Sequence, residues 1–471
     1  MAEELLRRLA RIAAASHATV YIVGGYLRDR LLGREPVDLD LLVEGPPAPF
    51  LHALSREAGF EPVVFSRKEP ITYRIAMGDW LIDVSACRAG GLREALGRRD
   101  FTINAMAAPL SGDEAAVALD SPIDPLGGLA DLRARRIRHI SSEGLDEDPV
   151  RLLRAVRLAV ALDGFSLDPG LRPEITRRAH LIAGCPAERV LAEMEVILAS
   201  NRAGGGLRMM EGLGLLFQVV PELARLGGLR QNRWHRYDAL EHTLRCVEEA
   251  DALQGGHPGI RIEAPLGVED SEILKWAALW HDAGKAQTAH TGEDGEVHFY
   301  GHETLSALLA QEALTRLRLS GRKVERAAKL IRNHLRLTLL AAGHEVSDKA
   351  LRRLVHQMGY DTPVLCLLAV ADRRAGGGPE FETRMRDLER VAARVMGVML
   401  LEGERVISPP PLLTGDEVMR ILGIEPGPRV GTVMRWLTRL QVEEKLTRQD
   451  QAVALLKSLP PSRLLTLDDE P

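Results

Sequence analysis

The chain has 471 residues, of which 45% are hydrophobic and 27% are charged. This length predicts about three domains, each able to bury its own core. The net charge of -5 does not by itself indicate nucleic-acid binding, although a sum over several domains can hide a basic groove. No apolar stretch reaches the roughly 18 residues that a membrane span needs, and the four cysteines form no C-x-x-C pair. We therefore expect a cytoplasmic protein without a membrane segment, zinc knuckle or redox motif.

The N-terminus, in which Arg7, Arg8 and Arg11 stand among leucines and alanines, indicates an amphipathic helix. Residues 18–84 then alternate helical stretches with short β-branched runs, which predicts an α/β module. Those runs are residues 20–23, 37–43, 72–76 and 81–84. Beyond Arg98 the strand signals fade, and helical spacing continues to the C-terminus with glycine- and proline-rich interruptions. The pattern predicts a small mixed-sheet head on a long helical body.

Two carboxylates lie in the second predicted strand, as Asp38-Leu39-Asp40. Residues two apart in a strand point to the same face, so Asp38 and Asp40 project together while the alternating apolar residues pack behind them. Adjacent carboxylates repel unless cations lie between them, and a pair of Mg²⁺ ions carrying a nucleoside triphosphate meets that need. The strand therefore predicts two-metal phosphoryl transfer, with Gly24 and Gly25 offering backbone N–H groups to the triphosphate.

A second polar pair lies at a predicted helix start, Glu147-Asp148-Pro149-x-Arg151. Pro149 suits the first turn, Asp148 is placed to cap the helix, and the i, i+3 spacing puts Asp148 and Arg151 on one face. Such a pair can address cytosine, because a carboxylate accepts from the exocyclic amine while a guanidinium donates to N3 and O2. A surface salt bridge is the alternative interpretation of these residues.

Ordered motifs between residues 24 and 193 resemble the polymerase-β-like nucleotidyltransferases, and within them the bacterial and eukaryotic type of CCA-adding tRNA nucleotidyltransferases and bacterial poly(A) polymerases. The matching segments are Gly24-Gly25-x-x-Arg28-Asp29, Asp38-x-Asp40, residues 98–107 (RRDFTINAMA), residues 124–132, Glu147-Asp148-Pro149-x-Arg151-x-x-Arg154-x-x-Arg157, and residues 186–193. The resemblance implies a multidomain α/β plus all-α protein, with a polymerase-β-like palm and a small mixed sheet.

The resemblance also implies roles for particular residues. Asp38 and Asp40 would be catalytic and would hold Mg²⁺, and Asp83 resembles the third carboxylate position of the superfamily. The expected substrates are tRNA, CTP and ATP. Asp148 and Arg151 would act as a protein template for the base, and residues 98–104 would recognise the ribose. The expected nucleotide-binding residues are Gly24, Gly25, Arg28, Arg98, Asp100, Asn104, Asp148, Arg151, Arg154 and Arg157.

The segment between the strand at 81–84 and Arg98 is short. Full CCA-adding relatives usually carry a longer flexible loop here, which helps to switch the pocket from CTP to ATP. Relatives without that loop tend to stop after two cytidines and leave the terminal adenosine to a separate A-adding enzyme. The sequence therefore favours a CC-adding specialist over a full CCA-adding enzyme.

A second set of polar residues is spread over the helical region: His242, His281, Asp282, His302, His334 and Asp372, with Lys285 one turn after the His-Asp pair. Imidazole with carboxylate suits first-row transition metals as well as magnesium. The set resembles the HD superfamily of phosphohydrolases, with His242, His281, Asp282 and Asp372 as core ligands. His302 and His334 match the additional ligands of binuclear members, and Lys285 is placed to bind phosphate. The expected metal is Mg, Mn, Ni or Fe, and the expected activity is phosphodiesterase or phosphatase chemistry on RNA ends.

The expected domains are a palm at 1–138, a helical neck and body at 139–232, an HD domain at 233–375 and a helical C-terminal region at 376–471. In the last region a Pro426-Gly427-Pro428 turn enters a predicted helix, and it is interpreted equally well as a contact with the tRNA body or as a helix connection. Two other functions remain open at this point: a poly(A) polymerase, and an HD-centred phosphohydrolase whose head only binds RNA.

Overall fold

The computed structural model describes residues 2–66, 71–110, 119, 121–232, 234–293, 295–343 and 345–460. The chain divides into two units. The first combines Met1–Met194 with Met209–Val219, and the second combines Glu195–Arg208 with Val220–Pro471. Residues 461–471 of the expected C-terminal region lie outside the described part.

The first unit begins with a mixed α/β layer and continues as helices. Its strands are β1 Thr19–Val23, β2 Asp38–Glu44, β3 Val63–Ser66, β4 Thr72–Met77, β5 Trp80–Cys87, β6 Ala107–Pro109, β7 Arg136–Ile137 and β8 Ser166–Leu167. Its helices are α1 Ala2–Ala15, α2 Gly25–Leu31, α3 Ala48–Ala58, α4 Leu92–Gly97, α5 Gly128–Arg133, α6 Glu143–Glu147, α7 Val150–Ala161, α8 Leu171–Arg178 and α9 Ala187–Ala199, which ends in the second unit. Single 3₁₀ turns occur at Thr102–Asn104 and Ala179–Gly184.

The described residues of the head form a six-stranded sheet in the order β3-β4-β5-β2-β1-β6. β2 pairs parallel with β5, and the other neighbours pair antiparallel, so the sheet is mixed as predicted. The sequence prediction missed both edge strands. Strand β3 was not predicted because Val63 and its neighbours are exposed and do not alternate between buried and exposed positions. Strand β6 was not predicted because it is only three residues long.

The two faces of the sheet are covered by different elements. Alternate residues of β2, including Leu39, Leu41 and Val43, are fully buried in one core with residues from α1 and α3. Leu42 points to the opposite face and packs with residues near α4 and β6. Because side chains alternate along a strand, Asp38 and Asp40 share the face of Leu42. α1 is amphipathic, as predicted.

The second unit is almost entirely helical. Its helices are α10 Ala203–Gly212, which is shared with the first unit, α12 Ala239–Ala252, α13 Val268–Trp280, α14 Lys285–Thr288, α15 His302–Arg316, α16 Gly321–Asn333, α17 Arg336–Ala342, α18 Asp348–Met358, α19 Thr362–Gly376, α20 Phe381–Ile407, α21 Gly415–Leu422, α22 Pro428–Val442 and α23 Gln449–Ser458. Helix α11, Leu216–Val219, belongs to the first unit. A short hairpin joins β9 His290–Thr291 to β10 Val297–His298, and 3₁₀ turns lie at Pro221–Leu226, Pro258–Ile260 and Gly359–Asp361.

Helix α13 is the centre of the second unit, because every residue from Ser271 to Trp280 is buried. One helical segment, Asp348–Gly376, is long and apolar enough by length and composition to cross a membrane. However, 72% of its most apolar stretch is buried inside the protein, which is the burial of a core helix. Near the C-terminus, Thr414 and Glu417 form a capping box at α21. The Pro426-Gly427-Pro428 turn joins α21 to α22.

A buried ion pair anchors α13. The Lys275 ammonium group lies 3.1 Å from Asp251 Oδ1 and donates to the Ser200 carbonyl, while Asp251 Oδ2 accepts from the Gly204 amide at 2.8 Å. The side chain of Lys275 is fully buried. Burial lowers the pKa of Lys275 and raises the pKa of Asp251, so desolvation outweighs the attraction between the two charges.

We predict that Lys275→Met lowers the free energy of unfolding of the second unit by roughly 3–5 kcal/mol, because it leaves the Asp251 carboxylate buried without its cation. The double variant Lys275→Met/Asp251→Asn removes both charges and should recover most of that loss. Urea unfolding followed by tryptophan fluorescence measures both values. A double variant no more stable than the single variant would contradict the assignment of the loss to an unpaired charge.

Candidate active sites

The carboxylate pair of the head lies at the start of β2, on one face of the sheet. Asp38 is exposed and Asp40 is half-buried, while Leu39 between them is fully buried behind the strand. Burial, followed by repulsion from Asp40 and Asp83, raises the pKa of Asp38 above its ordinary value. Clustered carboxylates of this kind fit divalent cations, whose charge would remove the repulsion.

Asp83 lies beside Asp40 in the parallel register of β2 and β5, and Arg74 lies opposite Asp83 on β4. Arg74 binds both oxygens of the Asp83 carboxylate at 2.7 Å. Opposite charges directly across a sheet attract, so this pair is a favourable contact between β4 and β5. Asp83 is therefore engaged by an arginine, unlike Asp38.

Gly24 joins β1 to α2 next to Asp40. Its φ of +78° lies in the left-handed region, and a Cβ at this position would lie 2.3 Å from Asp40 Oδ2 and 2.7 Å from Arg99 Nη1. Arg99 Nη1 in turn lies 3.3 Å from Asp40 Oδ2. Helix α2 begins directly at Gly25. Because of these short distances and the left-handed φ, only glycine at position 24 allows the backbone to lie so close to the Asp40 carboxylate.

A polar network behind the glycine turn ties α2 to the segment that follows α4. Arg28 forms a two-point ion pair with Asp29 and donates to Asn104 Oδ1 at 2.9 Å. Asn104 Nδ2 donates to Asp100 Oδ1 at 3.0 Å, and the Phe101 amide donates to the same oxygen at 2.7 Å. These residues orient one another, so the structure brings together three predicted nucleotide-binding side chains.

Asp100 continues this network into α7. Its second oxygen accepts from Arg154 Nη1 at 3.2 Å, and Arg154 Nε donates to Glu193 at 3.0 Å. Arg157 Nε also lies 2.5 Å from Glu193. Burial raises the pKa of Asp100, but Arg154, Asn104 and the Phe101 amide together hold it below its ordinary value. The carboxylate is therefore charged and fully engaged within the first unit.

Asp148 and Arg151 are close, as their spacing predicted, with Arg151 Nε 3.8 Å from Asp148 Oδ2. Their stronger contacts are with other groups. Arg189 binds both oxygens of Asp148 at 2.8 and 2.9 Å, and Arg151 donates to the backbone carbonyls of Arg98 and Arg99. The expectation that Asp148 caps the helix is wrong, because Asp148 follows α6 and its carboxylate turns to Arg189 while Pro149 precedes α7.

Three residues of the 98–104 segment have contacts that the sequence did not indicate. The exposed guanidinium of Arg98 pairs with Glu94 at 2.7 Å, whereas its neighbour Arg99 contacts Asp40. Thr102 Oγ1 donates to the buried Asp131 at 2.6 Å, so this hydroxyl is used inside the fold. The turn after α4 determines which of the two arginines faces the carboxylates. Sequence periodicity therefore could not distinguish Arg98 from Arg99.

The segment between β5 and Arg98 is ordered in the structure. β5 extends to Cys87, and α4 begins at Leu92, so only residues 88–91 connect a strand to a helix. The Arg88 guanidinium pairs with Glu94, and the Gly90 amide donates to Glu44. Nothing in this connection is long enough to form an extended loop.

The histidines and aspartates of the second unit come together from separate helices. His242 lies in α12, His281 and Asp282 directly follow α13, His302 starts α15, His334 follows α16, and Asp372 lies in α19. Their ligand atoms form two groups, each within 4.8 Å: His242 with His281 and Asp372, and Asp282 with His302 and His334. All six predicted ligands are therefore collected in one place.

Asp282 lies between the two groups. Its Oδ2 is 3.1 Å from His281 Nε2 and 3.4 Å from His242 Nε2, while its Oδ1 is 3.3 Å from His302 Nε2. His242 Nε2 also lies 3.0 Å from Asp372 Oδ1. A carboxylate with one oxygen toward each group is a ligand that either group could use to hold a divalent ion.

The imidazoles are oriented by backbone carbonyls. Nδ1 of His281, His302 and His334 lies 2.7–2.8 Å from the carbonyls of Ala278, Phe299 and Ile331 respectively. Because a carbonyl can only accept, Nδ1 carries the proton and Nε2 keeps its lone pair toward the cluster. Donors arranged in this way fit divalent metals.

The carboxylates and imidazoles of the cluster shift one another's pKa. Burial lowers the pKa of His281, but Asp282 and Asp372 together hold it above its ordinary value. Burial raises the pKa of Asp282, but His281 and Lys285 hold it well below its ordinary value, and the pKa of Asp372 is likewise lowered by His242 and His281. Burial lowers the pKa of His334 to about 3, so this ring is neutral at physiological pH. Lys285 Nζ lies 2.7 Å from Asp282 Oδ2, on the same cleft as the ligands.

Three family models match the chain. Residues 20–138 match the poly A polymerase head domain, residues 164–226 the probable RNA- and SrmB-binding site of polymerase A, and residues 239–377 the HD domain. These matches define a protein with a nucleotidyltransferase head followed by an HD domain. The predicted fold class is confirmed.

Curated relatives match nearly the whole chain. An A-adding tRNA nucleotidyltransferase of Deinococcus radiodurans is 36% identical, covering 93% of this chain and 94% of the relative. A CC-adding tRNA nucleotidyltransferase of Thermus thermophilus is also 36% identical, covering 92% of each. The chain belongs to the tRNA nucleotidyltransferase family, as the motifs predicted.

Solved structures share the fold at lower identity. The Bacillus stearothermophilus CCA-adding enzyme in complex with CTP aligns with a TM-score of 0.62 and 21% identity, covering 99% of this chain and 98% of that one. The Thermotoga maritima CCA-adding enzyme complexed with tRNA aligns with a TM-score of 0.57 and 19% identity, covering 96% and 94%. The similarity extends over both units.

We predict that Gly24→Ala lowers kcat/KM for nucleotide addition by about 100-fold or more, because the new methyl group displaces Asp40 and Arg99. Gly184→Ala is the matched control, since a Cβ there meets no described atom within 4 Å. Steady-state kinetics of both variants measures the effect. Equal activity of Gly24→Ala and the control would show that the close approach is not needed.

We also predict that Asp83→Asn keeps nucleotide addition within about tenfold of wild type, because Arg74 holds this side chain and an amide retains one hydrogen bond. Asp38→Asn removes a carboxylate that forms no arginine hydrogen bond among the described residues, and it should abolish activity. Parallel assays at saturating Mg²⁺ compare the two. A loss with Asp83→Asn as large as with Asp38→Asn would make Asp83 a third metal ligand.

Proposed function

We propose that this chain adds cytidines to the 3′ end of tRNA, and that its HD domain removes phosphate from RNA ends. The observation that carries the first activity is the carboxylate pair of β2 beside a glycine turn that admits no side chain. Family membership supports it, because relatives over the full length are tRNA nucleotidyltransferases. A structural neighbour in complex with tRNA and another in complex with CTP are consistent with those substrates.

In this proposal Asp38 and Asp40 hold two Mg²⁺ ions at the head. The ions supply the charge that activates the RNA 3′-hydroxyl and neutralises the leaving pyrophosphate. The ribose 3′-oxygen bonds to the α-phosphorus of CTP while the bond from that phosphorus to the pyrophosphate oxygen breaks. Gly24 and Gly25 allow the backbone to approach the triphosphate. Arg99, whose Nη1 lies 3.3 Å from Asp40 Oδ2, is a cation beside this carboxylate that would face the negative charge of the triphosphate.

In this proposal, the nucleotide is selected by side chains that are held in place by the polar network around α7. Asp148 and Arg151 address the base as a carboxylate and guanidinium pair. Arg189 holds Asp148 by two hydrogen bonds, and Arg151 is held by the carbonyls of Arg98 and Arg99. Arg154 and Arg157 act through Glu193 and Asp100 rather than as isolated cations. Arg151 is thereby held against the backbone of Arg99, whose side chain lies 3.3 Å from Asp40.

The short connection from β5 to α4 favours a CC-adding enzyme. Residues 88–91 leave no chain for the flexible loop that full CCA-adding relatives use to change from CTP to ATP. A separate A-adding enzyme would then complete the tRNA end. The curated relatives include both an A-adding and a CC-adding enzyme at 36% identity, so A-addition is the nearest competing specialisation.

The HD domain is proposed to hydrolyse phosphates at RNA 3′ ends, including 2′,3′-cyclic phosphates. Divalent ions held by the two ligand groups would supply the Lewis acidity that activates water and offsets phosphate charge. Water oxygen bonds to phosphorus, one ribose C–O–P linkage opens at its P–O bond, and the released ribose oxygen takes a proton. Lys285, charged and 2.7 Å from Asp282, faces the phosphate.

We predict that, in single-turnover extension of a tRNA lacking its CCA end, the chain adds two cytidines and stops when CTP and ATP are both present. Gel electrophoresis at nucleotide resolution reads the products. Extension only of tRNA that already ends in CC, with ATP, would make it an A-adding enzyme. Completion of CCA would contradict the loop argument, and long adenosine tracts would instead indicate a poly(A) polymerase.

The two activities should separate by mutation. We predict that Asp40→Ala abolishes nucleotide addition and leaves the hydrolysis of 2′,3′-cyclic AMP unchanged, whereas Asp282→Ala does the reverse. Both assays are run on each full-length variant. A single substitution that removes both activities from a folded chain would contradict the assignment of two separate sites.

A further inference from the structure

The cleft at the HD cluster extends well beyond the metal ligands. It encloses about 310 Å³. Its lining includes the cluster residues Asp282, His302 and Asp372, and also the rings of His298 and Tyr300. A cleft of this size is at the lower end of pockets that bind small organic ligands. It has room for more than a phosphate, so the groups beyond the cluster determine which phosphate ester enters.

An aromatic platform borders this cleft. The rings of His298 and Tyr300 are stacked, with centroids 5.3 Å apart and an interplanar angle of 10°. Tyr300 is 76% exposed, which is unusual for a large aromatic side chain. Gly301, with φ of +75°, starts α15 immediately after Tyr300, so the platform is two residues from the ligand His302. His298 is partly buried and supports the exposed Tyr300 ring, which offers a flat surface on which a nucleobase can stack.

Two arginines lie on another side of the cleft. Arg373 follows the ligand Asp372, and its buried Nε has no hydrogen-bond partner among the described residues. Arg384 packs its guanidinium 3.4 Å from the centre of the Trp234 ring. Arg384 also lies 3.4 Å from Glu380, an exposed pair that a phosphate can displace because surface ion pairs are weak. Guanidinium groups held in this way suit phosphate oxygens.

The same two arginines open onto a second cleft. Arg373, Arg384 and Thr338 line both the first cleft and a neighbouring one of about 560 Å³. The neighbouring cleft contains no member of the ligand cluster. A mononucleotide would fill only the first cleft, whereas a strand could continue past the arginines into the second.

Building on the proposed phosphohydrolase function, we propose that the HD cleft recognises the end of an RNA strand at two points. The His298–Tyr300 platform stacks on the terminal base while the terminal phosphate lies at the metal ligands. Arg373 and Arg384 hold the internucleotide phosphate that precedes it. His298 and Tyr300 therefore serve every nucleotide substrate, and the arginines serve only substrates of two or more nucleotides.

The test compares two probes on the full-length chain with Mn²⁺ or Ni²⁺: 2′,3′-cyclic AMP, and a trinucleotide that ends in a 2′,3′-cyclic phosphate. We expect Tyr300→Ala to raise KM about tenfold for both probes with kcat little changed, and Tyr300→Phe to match wild type because it keeps the ring. We expect Arg384→Gln to raise KM about tenfold for the trinucleotide only. Arg373→Gln should act in the same direction.

Arg386→Gln is the matched control, because Arg386 lies on the same helix, is exposed and donates only to the Glu382 carbonyl among the described residues. Equal effects of Arg384→Gln on both probes, or none on either, would overturn the two-point inference while leaving the phosphohydrolase function intact. A Tyr300→Ala variant with wild-type KM would overturn the stacking platform. A wild-type chain that hydrolyses neither probe would contradict the proposed function itself, and the inference with it.

Discussion

The polar network of the head is centred on one largely buried carboxylate, Asp100, whose two oxygens are bound by three groups from two parts of the first unit. Asn104 and the Phe101 amide bind one oxygen, and Arg154 of α7 binds the other. A charge this far from water is stable only when its hydrogen bonds are complete, and here they lower its pKa. Through Asn104 the network reaches Arg28 on α2, beside the glycine turn. The contacts of Asp100 thus connect the glycine turn beside Asp40 to α7, which carries Arg151 and Arg154.

The cluster of the second unit differs from this network, because imidazole lone pairs must stay available to a metal ion and not be used up in hydrogen bonds. Backbone carbonyls next to His281, His302 and His334 take the Nδ1 protons and leave Nε2 directed toward the carboxylates. The helices that supply these residues pack around α13, whose residues from Ser271 to Trp280 are all buried. Rigid packing therefore fixes the ligand positions, whereas the aromatic and arginine side chains at the cleft remain exposed enough to meet a substrate.

Much of this arrangement follows from the sequence, but only where local rules decide. Strand alternation placed Asp38 and Asp40 on one face, and the ordered spacing of the histidines identified the HD cluster. Contacts between distant segments could not be predicted in the same way. Arg189 lies 41 residues from the carboxylate of Asp148 that it binds, and Arg74 reaches Asp83 only across a strand pairing. Such partners are set by tertiary packing, which periodicity and motif spacing do not encode.

Asp100 is proposed to organise the polar network on which nucleotide addition in the head depends. Asp100→Asn tests it most directly, since the amide keeps the shape but removes the charge, and Arg154 retains Glu193. The measurement is kcat/KM for nucleotide addition and for 2′,3′-cyclic AMP hydrolysis on the same preparation. We expect addition to fall about tenfold or more with hydrolysis unchanged, because a charged hydrogen bond at this site is lost. Unchanged addition in a folded variant would contradict the account.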